Sequence, residues 1–392
     1  MKLKKKIIEH LKHYKRGTKI DLTILDDILP STLSPWRSYE YAELSKNFPN
    51  TRILTDQTTF KHFNQGKSYQ ENLNLLLKNY PSLTNKIKKL TITSNLNGEI
   101  VYLLFYNNIK KHFEALNKKN NPFTFTLYPG GGFVFNDTTT DENLKKYFNS
   151  ANFKGVIVNQ NITKKYLIEN QICDPSLINL IPGVPLNLNS TNIIGYVYDK
   201  DLSNTNILFF ANKYTTDGSD KGFDIFQNIV SQLYHLKHEI NFIVIGGFSE
   251  KDITINKIKN VIVFKGVMNE FEFETILKET HIMISPNKPF ILNKGAFDGF
   301  PLATSVTASL FGNVNFMTDY FNESEHLDII DGMDFVKLNN DINETTQKII
   351  TLHYDKELLK TIAINGRNKI LHLYSYDKQI TPRINHFKKL IH

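Results

Sequence analysis

Between Asn206 and Asp319 several short apolar runs each end in glycine, lysine or a polar group and lead into a loop or helix-like stretch, with no internal sequence repeat. The run Asn206-Ile-Leu-Phe-Phe-Ala ends in Asn212-Lys213, and a polar loop leads to Asp220-Lys221-Gly222 before an amphipathic segment. Phe242-Ile-Val-Ile ends in Gly246-Gly247, and Val261-Ile-Val-Phe is followed by Lys265-Gly266. Apolar runs without polar alternation suit strands of a doubly wound parallel sheet, covered by helices on both faces. Ligands bind such a sheet in the crevice outside the carboxyl ends of its strands, so these endings are predicted to converge. Any one lysine here reads equally as a solvated loop residue; the succession of strand ends carries the argument.

The most informative unit runs from His281 to Asp319. It reads as a strand (His281-Ile-Met-Ile-Ser-Pro286), a loop ending in Asp298-Gly299-Phe300-Pro301, a helix stopping at Gly312, and a second strand, Asn315-Phe-Met-Thr-Asp319. The first turn of a helix has backbone N–H groups without intrahelical partners, and the aligned peptide dipoles make that end positive. Phosphate fits there without a cationic side chain. Gly299 is expected to let the chain approach a ligand closely, Pro301 to occupy the first helical turn, and Thr304, Ser305 and Thr307 to offer hydroxyls.

The first half offers two further candidate regions. After the strand Asp21-Leu-Thr-Ile-Leu come Asp26-Asp27 and then Trp36-Arg37-Ser-Tyr39-Glu40 at a helix start. Trp36, the only tryptophan, beside Arg37 would make a stacking platform with a charged fork, suited to a sugar ring or a phosphate. The same residues read equally as anchors of that helix in the core, and Glu40 as either a base for an acceptor or a helix-start charge. The strand Phe123-Thr-Phe-Thr-Leu-Tyr128 runs into Pro129-Gly130-Gly131-Gly132. Three successive glycines are costly to order, so they point to an unusual backbone path or a close approach. Tyr128 to Phe133 is expected to border a cleft, a plain turn being the other reading, and Val156-Ile-Val-Asn159-Gln160 to face the same crevice.

These residues resemble the retaining, nucleotide-sugar-dependent glycosyltransferases of family 4. The resemblance covers residues 175 to 375, through Lys213, Lys221-Gly222, Gly246-Gly247, Ser285-Pro286, Asp298-Gly299-Phe300 and Gly312, in the family's order. It implies a GT-B fold: two Rossmann-like, doubly wound α/β domains facing an interdomain cleft. Residues 1–190 would form the acceptor-side domain, 191–372 the donor-binding domain, and 373–392 a helix returning to the first. Lys213, Lys221 and Asp298 would be catalytic; Gly246, Gly247, Gly266, Gly299, Phe300, Pro301, Leu302 and Thr307 would bind the donor. On the acceptor side stand Trp36, Arg37, Glu40, Tyr128 and Gly130 to Gly132. The implied reaction moves a sugar, with retention, from a nucleoside diphosphate to a glycan or lipid-linked glycan in cell-surface polysaccharide assembly, with no metal or other cofactor.

Two departures from the family pattern matter. Thr307 stands where a carboxylate would grip the ribose, and Lys213 replaces the more usual arginine, keeping the charge but losing the planar fork. Other readings are therefore a non-catalytic sugar- or nucleotide-binding subunit of the same fold, with Thr307 its best argument, or another GT-B enzyme such as a nucleotide-sugar epimerase. Asp199-Lys200-Asp201 spells the D-x-D of metal-dependent transferases, but it falls where an interdomain linker is expected.

Composition fits two globular domains. At 392 residues, 41% hydrophobic and 12% aromatic, the chain has material for two cores. A single cysteine excludes intrachain disulfides and fits a reducing cytoplasm. Most of the net charge of +8 sits in residues 1 to 16, which hold seven lysines and arginines against one acid. Leu3, Ile7, Leu11 and Tyr14 there recur at helical spacing, so a basic amphipathic helix is expected, suited either to peripheral contact with an anionic membrane or to packing on its own domain. The remainder offers no basic stripe for nucleic acid.

Overall fold

The structure, a computed structural model, describes residues 19 to 391 apart from 65, 190, 269 and 340. The amphipathic segment expected over residues 1 to 16 lies outside the described residues. Seven strands form the first sheet: β1 (Leu22–Asp26), β2 (Thr51–Thr55), β3 (Ile87–Lys89), β4 (Ile100–Leu104), β5 (Phe123–Leu127), β6 (Phe153–Val158) and β7 (Ile178–Leu180). Their spatial order is 3-2-1-4-5-6-7. The second sheet contains β8 (Thr205–Phe210), β9 (Ile240–Ile245), β10 (Ile262–Gly266), β11 (Ile282–Ser285), β12 (Val314–Met317) and β13 (Val336–Lys337), in the order 10-9-8-11-12-13. Neighbouring strands are parallel, with Ile24 opposite Tyr102 across β1 and β4, and Phe209 opposite Ile284 across β8 and β11.

Parallel strands need covering on both faces, and the sequence supplies it. β1, β4 and β5 are buried throughout. In the second domain Phe223 and Phe226, on the helix Phe223–Gln232, stack against Phe209 of β8 at 5.3 and 5.1 Å. The strand order reverses between β1 and β4 and between β8 and β11, and in sheets of this kind a crevice opens at such switch points.

The chain leaves the first sheet after β7, builds the second, and returns. The helices expected at the end appear as Lys356–Leu373 and Tyr376–Leu390. The last one lays Ile380, Ile384 and Phe387 into the first domain's core beside Ile24, Phe48 and Tyr102. Burying each such side chain stabilises the fold by about 2 kcal/mol. The helix Pro35–Asn47 is thereby covered on two sides, so Arg37 to Ser45 are all buried.

The domains also touch across the cleft. Phe135 stacks on Phe297 with ring centroids 4.2 Å apart, and the Phe135 N–H donates to the Gly295 carbonyl at 2.9 Å.

Candidate functional site

The loop after β8 carries Lys221 into place through two left-handed glycines, Gly218 and Gly222. A Cβ on Gly222 would come within 2.0 Å of the Pro286 carbonyl oxygen, so the β8 and β11 endings are held together by a missing side chain. Lys221, 8% exposed, places its ammonium 2.7 Å from Oδ2 of Asp298. Asn287 donates to the same oxygen at 2.6 Å. Oδ1 of Asp298 accepts nothing among the described residues and remains open to a hydroxyl donor.

Lys213 lies further along the same edge, ion-paired with Asp252 at 2.5 Å. Gly246 and Gly266 are joined by an N–H to carbonyl bond of 2.9 Å, and a Cβ on Gly246 would collide with the Ala211 carbonyl. Gly247 passes beside Lys213, with 3.6 Å between a built Cβ and that of the lysine, while Gly266 faces open space. The structure thus gathers the expected strand endings on one sheet edge.

The helix starts later than expected. It spans Ala303–Leu310 with Leu302 at the N-cap, so Pro301 precedes the first turn. The first intrahelical bond runs from Val306 N–H to Leu302 O, which leaves Ala303, Thr304 and Ser305 with N–H groups that have no partner within the helix. The Phe300 N–H, expected to face phosphate, instead donates to Oε1 of Gln160 at 2.9 Å. Gly299 is also explained differently: a Cβ there would lie 3.1 Å from Gln160 Nε2, so its bareness serves an interdomain contact. The Thr307 hydroxyl donates to the Ala303 carbonyl at 3.0 Å, one turn back.

A cavity of about 160 Å³ lies between the domains. Trp36, Phe105, Tyr128 and Pro129 form one wall, Gly183, Val184 and Tyr374 from the two crossing segments form the floor, and Gly299, Pro301, Leu302 and Ala303 form the other wall. The aromatic wall is rigid: Trp36 meets Tyr128 and Phe105 edge-on, at 5.1 and 6.1 Å between centroids. The Tyr128 hydroxyl stays protonated, its pKa pushed up by burial and by the nearby Glu40.

Three acceptor-side expectations are corrected. Arg37 turns away from the cavity, to Asp27 at 2.6 Å and Asp26 at 3.2 Å, with its guanidinium carbon 4.9 Å from the Phe105 ring centroid. Burial opposes its charge, but Asp26, Tyr41 and Asp27 outweigh that and raise its pKa. Glu40 is fully buried, accepts from the Tyr102 hydroxyl at 2.6 Å and faces Arg383 at 3.5 Å. Burial raises its pKa against the pull of Arg383 and Tyr102. A base must reach the acceptor hydroxyl, and Glu40 cannot. Gly130, Gly131 and Gly132 make a left-handed turn in which side chains on Gly131 and Gly132 would collide with Phe105 and Asn107, while Gly130 faces open space. None of the three lines the cavity, and Gly131 alone approaches the aromatic wall, through Phe105.

No protein-family model matches this sequence, and no curated protein matches it. Solved structures do. A glycosyltransferase from Rickettsia africae aligns with 95% of this chain and 99% of its own at 16% identity, with a TM-score of 0.67. TarM aligns over 94% of this chain and 99% of its own at 10% identity and a TM-score of 0.69. Anabaena HepE in complex with UDP and glucose covers 94% of this chain and all of its own, at 13% identity and a TM-score of 0.63. The fold is GT-B.

Within that GT-B frame, several site residues had no clear sequence signal. Gln160 pairs with Phe300, far away in sequence, Asn287 reaches Asp298 from the other end of the same loop, and Tyr374 enters the cavity from the returning segment. Only Asn159-Gln160, a polar ending on an apolar strand, gave a hint. The D-x-D triplet is structural: the Lys200 ammonium donates to the carbonyls of Leu277 and Thr280 where the helix Glu270–Glu279 ends, a position that favours cations.

Proposed function

We propose that this chain is a retaining glycosyltransferase that moves a sugar from a nucleoside diphosphate, UDP foremost, to a glycan or lipid-linked glycan acceptor in cell-surface polysaccharide assembly. The observation that carries the reading is the Lys221–Asp298–Asn287 cluster, in which Asp298 and Asn287 line a pocket together with Leu302, the N-cap of the helix Ala303–Leu310, and that pocket shares Gln160, Gly299 and Leu302 with the cavity between two doubly wound sheets. As the bond to the diphosphate breaks, negative charge grows on the departing oxygen. The Lys221 ammonium, with Lys213 further along the edge, and the N–H groups of the first helical turn stabilise it, each preorganised donor contributing about 3 kcal/mol. Oδ1 of Asp298 orients a donor-sugar hydroxyl, and the acceptor approaches along the Trp36–Tyr128 wall. Acceptor and leaving group share one face, giving retention, and the charge is met without a metal. Donor binding belongs to residues 191–372 and the acceptor side to 1–190, with 373–392 bridging them.

The solved relatives support this chemistry: HepE is described with UDP-glucose, and Staphylococcus aureus TarM with Fondaparinux, α-GlcNAc-glycerol and UDP. Thermal shift and slow donor hydrolysis against UDP, GDP and dTDP sugars test it. Stabilisation and hydrolysis by one donor, with hydrolysis lost in Lys221→Ala, are expected. Stabilisation without turnover, even with acceptors present, would favour a non-catalytic nucleotide-binding subunit, the reading that Thr307 supports, and conversion of the donor to a free epimer would favour an epimerase. Residues 1 to 16 are proposed to rest on anionic membrane from the cytoplasmic side. A truncation lacking them that still co-sediments equally with anionic vesicles would end that idea.

A further inference from the structure

The side chain of Gln160 closes a circuit between the domains. It stands just beyond β6, 3% exposed, and engages both backbone groups of Phe300: Oε1 accepts from the N–H at 2.9 Å and Nε2 donates to the carbonyl at 3.2 Å. One carboxamide bonding both groups of one residue fixes the peptide planes on either side of it. Nε2 also donates to the Asn159 carbonyl at 2.9 Å, which holds the amide in one orientation. A second contact lies beside it. The carboxylate of Glu323, from the other domain, accepts from the N–H groups of Asn161 and Ile162 at 2.8 and 2.6 Å, capping the helix Asn161–Glu169 where a negative charge is favoured. Asp319 holds Glu323 in turn through its backbone N–H at 2.8 Å. Four consecutive residues, 159 to 162, therefore form the seat on which the 299–301 turn and Glu323 dock.

We infer that Gln160 is a positioning residue for the donor site, setting the Asp298-Gly299-Phe300 turn from the opposite domain and, with Glu323, making that turn's working shape depend on cleft closure. The inference rests on the donor reading above. When the cleft opens, the Phe300 N–H and carbonyl lose their partner, and Asp298, two residues earlier, loses the backbone that aims its carboxylate. The Phe300 ring stays anchored against Met317, Leu327 and Phe335 in the second domain, so the loop remains attached while its peptide planes are released. The donor sugar is thus gripped in the closed form and freed in the open one.

The test uses the full chain with Gln160→Ala and Gln160→Glu, the latter keeping an oxygen for the Phe300 N–H while removing the amide donor. Hydrogen exchange at the Phe300 amide is expected to quicken about tenfold in Gln160→Ala and to stay slow in Gln160→Glu. For UDP-glucose, or the panel sugar that the wild type hydrolyses fastest, kcat is expected to fall about tenfold in Gln160→Ala with UDP affinity unchanged, and to recover in part in Gln160→Glu. Unchanged exchange at Phe300, or faster exchange with unchanged kcat, would overturn the inference, as would a loss of melting temperature with no change in kcat. A wild type inert to every donor would remove the donor reading and the catalytic half of this inference together, and exchange at Phe300 would still decide whether Gln160 holds the turn.

Discussion

The two sheets present their carboxyl ends to one cleft with the same kinds of charged residue and opposite outcomes. At the end of β1, Asp26, Asp27 and Arg37 satisfy one another below the surface, with Thr59 and Asn108 donating further bonds to Asp27. Beneath them Glu40 and Arg383 form a second pair with no exposure at all. Across the cleft, Lys221 and Asp298 also pair, yet the carboxylate is 38% exposed and keeps one oxygen open. A buried pair holds architecture, whereas a partly exposed one near a helix start can exchange its partner for a ligand. Exposure to solvent and to an arriving ligand, rather than charge itself, separates the two roles.

Breaking the buried side should have the largest effect. Glu40→Ala leaves Arg383 buried without its counter-charge, and a urea titration should show a loss of about 3 kcal/mol; the double substitution Glu40→Leu with Arg383→Met, which replaces both charges by apolar side chains, should restore most of it. A Glu40→Ala protein as stable as wild type would erase the distinction. On the open side, Lys221→Ala is expected to lower donor turnover about a hundredfold, with a stability change of about 1 kcal/mol or less. Lys213→Ala should cost less turnover, about tenfold, because Lys213 is held to Asp252 further along the edge, whereas Lys221 is paired with Asp298 itself. A reversal of that order in steady-state kinetics would place the developing charge nearer Lys213.

Acid should weaken both halves. Burial, reinforced by Lys389, lowers the His386 pKa to about 4, and burial with Lys200 does the same for His281. With folded-state pKa values below the ordinary 6.5, each neutral imidazole favours the fold above pH 6.5, and that contribution is lost as pH falls from 6.5 towards 4. Melting temperature should drop through this window, and His386→Asn should flatten the part of the slope that belongs to the first domain. The smallest expected effect sharpens the open side: Thr307→Glu should tighten UDP binding about threefold by supplying the bidentate acceptor for the ribose, read by calorimetric titration.

The sheets were legible because apolar runs with glycine and lysine endings are local features, and the gathering of Lys221, Gly222 and Asp298 followed from the order of those endings. The first domain's polar residues were harder. Trp36 and Arg37 are adjacent in sequence, yet one lines the cavity and the other turns to Asp26 and Asp27. Glu40 looked like a surface charge because the segment that covers it, the helix Tyr376–Leu390, lies more than three hundred residues away. Gln160 and Phe300, 140 residues apart, had no local pattern to link them. The helix start at Ala303 was misplaced by two residues because Pro301 suits a first turn but also suits the extended segment before one.

The returning helix has a consequence for how the protein is made. Domains generally fold as they emerge during synthesis, amino-terminal first. Here the first sheet's core lacks Ile380, Ile384, Phe387 and the buried Arg383 until the second domain has been synthesised. Glu40 must therefore wait through the synthesis of the entire second domain before it meets its partner. Of the two domains, the one synthesised first is the one completed last, and a released fragment ending at residue 375 would carry a complete second domain beside an uncompleted first.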